Sequence, residues 1–317
     1  MNSLMISEPH AALPATTARE RFAARLFDTL WDRYRTRVSY VQTYEKVIHN
    51  AGAKLVNDHI AFRTLATEQP LAGIASVSRM FEALGYRAAG NYQFEDKHLS
   101  AIHFQHANPQ FPKLFISELK VWELPAESRE AIGRTVRSHR LPVTEEALVS
   151  LHQLDRDGSP ADELLPAVVA QFHELPWLLP RKEDVALVNA ASQYAAWVLV
   201  HGYNVNHFTS LINAHGVPAL DDIEKTIAAL KAAGIPMKAE IEGQPGSKLR
   251  QTATEAVQID VAVLDAGRPV QMPWSYAYFE LAQRDTVVDP ATGNRVRFEG
   301  FLGSQATNLF EMTRVKG

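Results

Sequence analysis

Two histidine–glutamate pairs occupy matched positions in this sequence. His59 and His207 each lie in an apolar, strand-like run, and Glu118 and Glu280 follow them after 59 and 73 residues in similar runs. Imidazole nitrogen and carboxylate oxygen suit divalent metals such as iron, manganese, zinc, nickel and cobalt. Two histidines and one carboxylate that leave coordination positions open form the facial triad of non-haem Fe(II) enzymes. The pattern therefore predicts a metal centre.

The composition restricts the other chemistry of the chain. Its 317 residues contain no cysteine, which excludes disulfides, thiolate nucleophiles, zinc fingers and iron–sulfur clusters. Any metal must be bound by nitrogen and oxygen, and the 12 histidines are the main candidates. A hydrophobic fraction of 46% predicts a large core, and a net charge of −4 argues against a nucleic-acid partner. No apolar stretch approaches the roughly 18 residues of a spanning helix, so we expect a cytoplasmic protein without a membrane partner.

The same order of elements is predicted twice. The first set is a strand, a helix and three strands, in residues 58–65, 72–84, 87–94, 100–106 and 113–122. The second set repeats this order in residues 204–211, 220–233, 236–242, 256–264 and 275–283. Each histidine lies in the first strand of its set and each glutamate in the last. Two β-α-β-β-β modules are therefore predicted to form a curved sheet around one metal site.

The remaining segments are predicted to be helical or irregular. Residues 1–17 are expected to form a mobile leader with His10 at the surface or in a helix, and residues 18–124 to hold two helices and the first module. Residues 125–200 are a helical insert, expected to cover the pocket mouth, and residues 201–317 hold the second module. The prediction is one integrated catalytic domain of the α+β class. Helices outside the modules are predicted at residues 17–34, 40–51, 127–137, 144–154, 161–173 and 183–200.

Four segments carry a resemblance to a known family. Residues 56–64 (VNDHIAFRT), 112–119 (PKLFISEL), 206–209 (NHFT) and 278–284 (YFELAQR) resemble the 2-oxoadipate dioxygenase/decarboxylase family, also called hydroxyglutarate synthase. The resemblance covers most of residues 20–315, and the motifs are fairly specific because they are not generic patterns. The family belongs to the vicinal oxygen chelate superfamily, whose paired β-α-β-β-β modules match the repeat described above.

The resemblance implies a reaction and a set of site residues. It implies Fe(II) bound by His59, His207 and Glu280, a substrate carboxylate bound by Arg63, and conversion of 2-oxoadipate and O₂ to 2-hydroxyglutarate and CO₂, as in lysine catabolism. Arg63 lies four residues after His59, so both side chains point to one face of a strand, about 13 Å apart along it. The planar guanidinium of arginine pairs with a carboxylate through two hydrogen bonds. Gln251 is expected to line the pocket and contact the substrate.

Two other functions remain open at the level of sequence. The first is a glyoxalase-like isomerase or hydrolase that uses Ni, Zn or Co and four ligands, with Glu118 as the fourth beside His59, His207 and Glu280. The second is a non-catalytic protein of the same superfamily that binds a small molecule. The resemblance implies three ligands, which leaves Glu118 supporting the site or the fold. A histidine in a strand is also often a packed structural residue, so the assignment of each ligand depends on the repeat and the family motif together.

Overall fold

The computed structural model describes residues 8–157 and 162–303 of the chain. The helices are α1 (Ala18–Arg37), α2 (Ser39–Asn50), α3 (Ile74–Ala83), α4 (Ala126–Val136), α5 (Glu145–Asp157), α6 (Leu165–His173), α7 (Lys182–Ala191), α8 (Gln193–His201) and α9 (Ile223–Ala232). The strands are β1 (Asn57–Ala66), β2 (Tyr86–Phe94), β3 (Leu99–His106), β4 (Lys113–Lys120), β5 (Val205–Leu211), β6 (Leu249–Ala253), β7 (Gln258–Asp265), β8 (Arg268–Ser275), β9 (Glu280–Arg284), β10 (Thr286–Val288) and β11 (Arg295–Arg297).

A curled seven-stranded sheet joins two modules. Its order is β2-β3-β4-β1-β5-β9-β6, so the first strands of the two modules are neighbours at its centre. β1 pairs with β4 in parallel and β5 with β9 in parallel, whereas β1 and β5 are antiparallel. Each module thus repeats the same pairing on its own side of the central pair. The predicted α+β class and the paired β-α-β-β-β modules are confirmed.

The second module differs from the prediction in its later strands. Residues 236–242 form only isolated bridges, at Met237 and Glu242, and β6 was not predicted. β6 has only five residues and is polar in sequence (LRQTA), so no apolar run marks it, although all five are buried. The predicted strand at 256–264 is β7, which pairs with β8 in a separate hairpin. The turn of this hairpin is Ala266-Gly267, where both residues have positive φ.

The predicted strand at 275–283 is wrong in its bounds. β8 ends at Ser275 and β9 begins only at Glu280, and the intervening residues lie outside both strands. The run is apolar because this linker is buried, with Tyr276, Ala277 and Tyr278 each at most 2% exposed. An apolar composition therefore could not distinguish a buried linker from a buried strand.

The insert is helical as predicted, with one difference. The single helix expected at 183–200 is two helices, α7 and α8, separated at Ser192. Ser192 has an extended backbone (φ −153°, ψ 106°), and its hydroxyl accepts a hydrogen bond from the amide of Ala195. The serine is the N-cap of α8, a position that this residue type favours.

The chain termini and the N-terminal helices complete the description. The first seven residues of the predicted leader and residues 304–317 lie outside the described residues. The prediction for His10 is wrong, because this residue lies in a turn rather than a helix, is 1% exposed and hydrogen-bonds Asp28 and Asn57. Trp31 of α1 packs edge-on against Phe208 of β5.

Within the described part of the chain, we find no helix that is both long and apolar enough to cross a bilayer.

The capping box of α1 gives a test of this part of the fold. Glu20 accepts hydrogen bonds from the amides of Thr16 and Thr17, and Thr17 accepts one from the amide of Glu20. Burial raises the pKa of Glu20, but these hydrogen bonds outweigh it and lower the pKa to about 2. We expect Glu20→Gln to reduce the free energy of unfolding at pH 7 by about 1 kcal/mol. The measurement is urea denaturation.

The pH dependence of this difference follows from the lowered pKa. The carboxylate stabilises the folded chain above pH 4.5, the ordinary pKa, so the difference should shrink as the pH falls from there toward 2. Glu127→Gln is the control, since this glutamate lies in the first turn of α4 without a side-chain cap. A pH-independent difference would contradict the assignment.

Candidate metal centre

Three adjacent strands bring the predicted ligands together. His59 lies on β1, His207 on β5 and Glu280 at the start of β9, and one ligand atom from each lies within 4.8 Å of the others. His59 Nε2 is 3.3 Å from Glu280 Oε1, and His207 Nε2 is 3.4 Å from Glu280 Oε2. The residues are 2%, 7% and 0% exposed. Neighbouring strands are about 4.8 Å apart, so side chains on one face of such strands converge as these do.

The residue before each histidine orients the ring. His59 Nδ1 donates to Asp58 Oδ2 at 2.8 Å, and His207 Nδ1 donates to Asn206 Oδ1 at 3.0 Å. A neutral imidazole with its proton on Nδ1 has the lone pair on Nε2, which is the form that binds a metal. Both Nε2 atoms face the Glu280 carboxylate. The hydroxyl of Thr209 lies 3.0 Å from His59 Nε2 and can donate to the same lone pair.

The carboxylate of Glu280 is only half satisfied. Gln251 Nε2 donates to Glu280 Oε1 at 2.5 Å, whereas the buried Oε2 has no hydrogen-bond partner among the described residues. A buried carboxylate oxygen without a partner is costly, so its presence calls for an explanation. A divalent cation beside two imidazole lone pairs would satisfy this oxygen. The donor set therefore fits a metal.

The pKa values of the three residues agree with this interpretation. Burial lowers the pKa of His207 to about 3, so this imidazole is neutral. Burial raises the pKa of Glu280, but the two histidines and Gln251 outweigh it and hold the pKa below its ordinary value. Burial lowers the pKa of His59, but Asp58 and Glu280 outweigh it and raise the pKa. Glu280 and His207 thus already have the charge states of metal ligands.

Glu118 does not belong to this group, and its predicted symmetry with Glu280 is wrong. In the second module, Glu280 pairs with Thr209, which lies two residues after His207. In the first module, the residue two positions after His59 is Ala61, and it pairs with Phe115. The element order showed the repeat, but only the strand register shows which residues are equivalent. Phe115 therefore occupies the place that a fourth ligand would take by symmetry.

Glu118 instead caps helix α3. Its Oε2 accepts a hydrogen bond from the amide of Ile74 at 2.8 Å. The N-cap residue Gly73 has no side chain to supply this acceptor, and a Cβ there would collide with Glu118 Oε2. The carboxylate from β4 thus replaces the cap that Gly73 cannot provide.

A cavity adjoins the three residues. Arg63 is 2% exposed and lies on the same wall as His59. Its guanidinium lies over the rings of Tyr194 and Trp197 of α8, 5.0 and 5.3 Å from their centroids, and hydrogen-bonds the hydroxyl of Tyr278. The lining residues are His59, Ala61, Phe62, Arg63, Phe94, Phe115, Ser117, Asn206, His207, Gln251, Tyr278, Glu280, Phe301 and Leu302.

The predicted residues thus meet at one site, but several neighbours were missed. Gln251 lines the cavity and orients Glu280, while its predicted contact with substrate stays a prediction. Asp58, Asn206 and Arg284 were not assigned a role, although all three lie in the segments that carry the family resemblance. The polar residue directly before each histidine was a signal that could have identified Asp58 and Asn206. The position of Phe301 had no such signal.

Other histidines near the ligands in sequence lie elsewhere in the structure. His201 bonds the carbonyl of Ser275, and His215 lies between Tyr44 and the carbonyl of Leu220. Each is therefore a buried structural residue. The spacing of histidines alone could not have distinguished them from His207.

Comparison with known proteins gives one consistent result. The family model described as 2-oxoadipate dioxygenase/decarboxylase matches residues 26–309. A chloroplastic 2-oxoadipate dioxygenase/decarboxylase of Arabidopsis thaliana is 26% identical over 279 residues, which are 82% of this chain and 68% of that protein. A crystal structure of a glyoxalase superfamily protein from Ralstonia eutropha is 28% identical, with a TM-score of 0.78 over 92% of this chain and 89% of that one. Hydroxyglutarate synthase from Oryza sativa, crystallised with 2-oxoadipate, is 24% identical with a TM-score of 0.74 over 96% and 97% of the two chains, and shares the fold.

Two glutamate variants test the ligand set. We expect Glu280→Gln to weaken Co(II) binding by at least about 100-fold, because it removes the anionic ligand. Glu118→Ala should leave the Co(II) affinity unchanged and lower the free energy of unfolding by about 1 kcal/mol, because it removes only a helix cap. Isothermal titration and urea denaturation provide the two measurements. An equal loss of Co(II) affinity in both variants would restore the four-ligand site.

Proposed function

The chain belongs to the 2-oxoadipate dioxygenase/decarboxylase family, and we propose that it is an Fe(II)-dependent enzyme that converts 2-oxoadipate, or a similar 2-oxo dicarboxylic acid, and O₂ to 2-hydroxyglutarate and CO₂. One observation carries the proposal: His59, His207 and Glu280 converge on the wall of a cavity that also contains Arg63. Lysine degradation and a cytoplasmic location belong to the same proposal.

The three proposed ligands favour iron chemistry over a purely structural metal. Two imidazoles and one carboxylate leave coordination positions open, as in the facial triad of non-haem Fe(II) enzymes. When bound, Fe(II) would supply Lewis-acid and redox chemistry toward a 2-oxo acid and O₂. The chain itself orients both imidazoles through Asp58 and Asn206 and holds Glu280 through Gln251.

Arg63 is the proposed binding group for the far carboxylate of the substrate. Its guanidinium is held by two aromatic faces and the Tyr278 hydroxyl, which restricts its rotation before a ligand arrives. The surroundings are buried, so a charge-assisted pair with a carboxylate is strong there. Because Arg63 and His59 lie on one wall, an acid bound at the metal centre at one end can meet the guanidinium at the other.

The cavity wall limits contact with water. Phe94, Phe115 and Phe301 supply apolar surface around the ligands, and Tyr278 stacks on the ring of His207 at 4.8 Å between centroids. An apolar, enclosed site disfavours side reactions with solvent. The helical insert contributes to the site through α8, because the rings of Tyr194 and Trp197 flank Arg63.

The two competing functions have less support. A four-ligand isomerase or hydrolase would need a ligand where Phe115 lies, and Glu118 is engaged with α3. A protein that only binds a small molecule would have the same cavity, and a turnover measurement distinguishes it from the enzyme.

Turnover in air and under argon tests the proposal. We expect Fe(II)-loaded protein to consume one O₂ and release one CO₂ for each 2-hydroxyglutarate formed, with no turnover under argon. An oxygen electrode and mass spectrometry of the product make the measurement, and Glu280→Gln is the inactive control. Full turnover under argon would contradict the dioxygenase, and tight binding of 2-oxoadipate without turnover would favour the binding protein.

The role of Arg63 can be separated from general damage to the site. We expect Arg63→Gln to lower kcat/KM for 2-oxoadipate by about 100-fold, since a buried charge pair is lost. The expected change for 2-oxohexanoate, which lacks the far carboxylate, is small. Steady-state kinetics with both acids provides the comparison, and an equal loss for both acids would show that Arg63 does not bind that carboxylate.

A further inference from the structure

A buried arginine stands behind one of the metal ligands. Arg284, the last residue of β9, donates from Nε to Asp58 Oδ1 at 2.6 Å and from Nη2 to Asp58 Oδ2 at 2.8 Å. The two side chains are 0% and 1% exposed. Asp58 Oδ2 also accepts a hydrogen bond from His59 Nδ1. The guanidinium is therefore connected to the metal ligand through one carboxylate.

The same guanidinium holds a second part of the chain. Arg284 Nη1 donates to the carbonyls of Phe298 and Gly300 at 3.1 and 2.6 Å. We call residues 298–302 the strap. The amide of Phe301 in the strap also donates to the hydroxyl of Tyr92 on β2 at 3.1 Å. Four of the five N–H groups of Arg284 are thus divided between Asp58 and the strap.

The strap forms the part of the cavity wall next to His59. The ring of Phe301 lies edge-on to the His59 ring, with centroids 4.8 Å apart and an interplanar angle of 84°. It also packs against Phe115 at 4.9 Å, and the Arg284 guanidinium lies 5.1 Å from its centroid. Phe301 and Leu302 both line the cavity. Arg284 therefore fixes both the ligand and the side chain that covers it.

We propose that Arg284 is a positioning residue that couples metal binding at His59 to closure of the strap over the cavity. A planar guanidinium can bond Asp58 and both strap carbonyls only when these groups are held in one mutual arrangement. A metal on Nε2 fixes the ring of His59, and through Asp58 it fixes the guanidinium and the strap. By linkage, a closed strap must in turn favour metal binding by the same free energy.

The charges of the pair support this connection. Both oxygens of Asp58 accept hydrogen bonds from the Arg284 guanidinium, and the two side chains are 1% and 0% exposed. An ion pair buried this deeply is seldom better for stability than apolar residues of the same size, so a positioning role accounts for it better than stability alone. The inference rests on the proposed metal centre but not on the proposed substrate.

Two matched arginine-to-lysine variants test the coupling, with Co(II) as the probe. Arg284→Lys keeps the charge but cannot bond Asp58 and the strap together. Arg250→Lys is the control, because Arg250 on β6 also forms a two-bond pair with a carboxylate, that of the half-exposed Glu224, and is hydrogen-bonded to neither Asp58 nor the strap. We expect Arg284→Lys to weaken Co(II) binding by about 10- to 100-fold and Arg250→Lys to leave it unchanged.

Hydrogen exchange measures the strap directly. In the wild-type protein and in Arg250→Lys, Co(II) should slow exchange of the strap amides, and in Arg284→Lys it should not. A purely structural role for Arg284 would lower the unfolding midpoint of the metal-free protein without changing Co(II) affinity or strap protection. Either wild-type Co(II) affinity or metal-dependent strap protection in Arg284→Lys would overturn the proposal.

A second variant covers the case in which Arg284→Lys does not fold. Phe301→Ala keeps the ion pair and removes only the ring over His59, and we expect it to lower Co(II) affinity several-fold and to shift the visible absorption of bound Co(II). An unchanged affinity and spectrum would overturn the coupling. Failure of the wild-type protein to bind Co(II) would instead contradict the metal centre itself. Neither measurement depends on turnover of 2-oxoadipate.

Discussion

The antiparallel pairing of β1 with β5 is the constraint on which the site depends. In this register Ala61 lies opposite His207 and His59 lies opposite Thr209, so the two histidines project side by side from one face of the sheet. The other face is buried against helices, as the contact of Phe208 with Trp31 shows. A slip of β5 by one residue would turn His207 toward the helices and Phe208 toward the cavity. The apolar core on one face therefore fixes the polar site on the other.

The site concentrates buried polar groups, and most of them have partners among the described residues, the exceptions being Glu280 Oε2 and Asn206 Nδ2. Asp58 neutralises Arg284 and orients His59, while Asn206 and Gln251 orient His207 and Glu280. Each contact satisfies a group that would be costly to bury alone. Against this background the unpartnered Oε2 of Glu280 is informative. The surrounding residues hold a charged oxygen in place without satisfying it, which is what a cation site requires.

The two modules share a plan but have diverged in their side chains. The first provides one histidine and the arginine of the cavity, and the second provides the other histidine and the carboxylate. Phe115 stands where symmetry with Glu280 would place a ligand, so the candidate site has three potential protein ligands and an apolar wall on the remaining side. The register thus explains why a fold with two similar halves presents an asymmetric centre, with open positions beside an apolar surface.

The amino-acid sequence was enough to predict the candidate ligand types, the module repeat and most of the elements around it. An absence of cysteine, a histidine in the first strand of each module and the segments around His59, His207 and Glu280 were sufficient, because strand periodicity and ligand chemistry are local properties. Tertiary structure alone decided the equivalence of Phe115 with Glu280, the role of Glu118 at α3 and the link from Asp58 through Arg284 to Phe301. These depend on strand register and on contacts between residues as much as 226 positions apart, as Asp58 and Arg284 are, and no local pattern encodes such contacts.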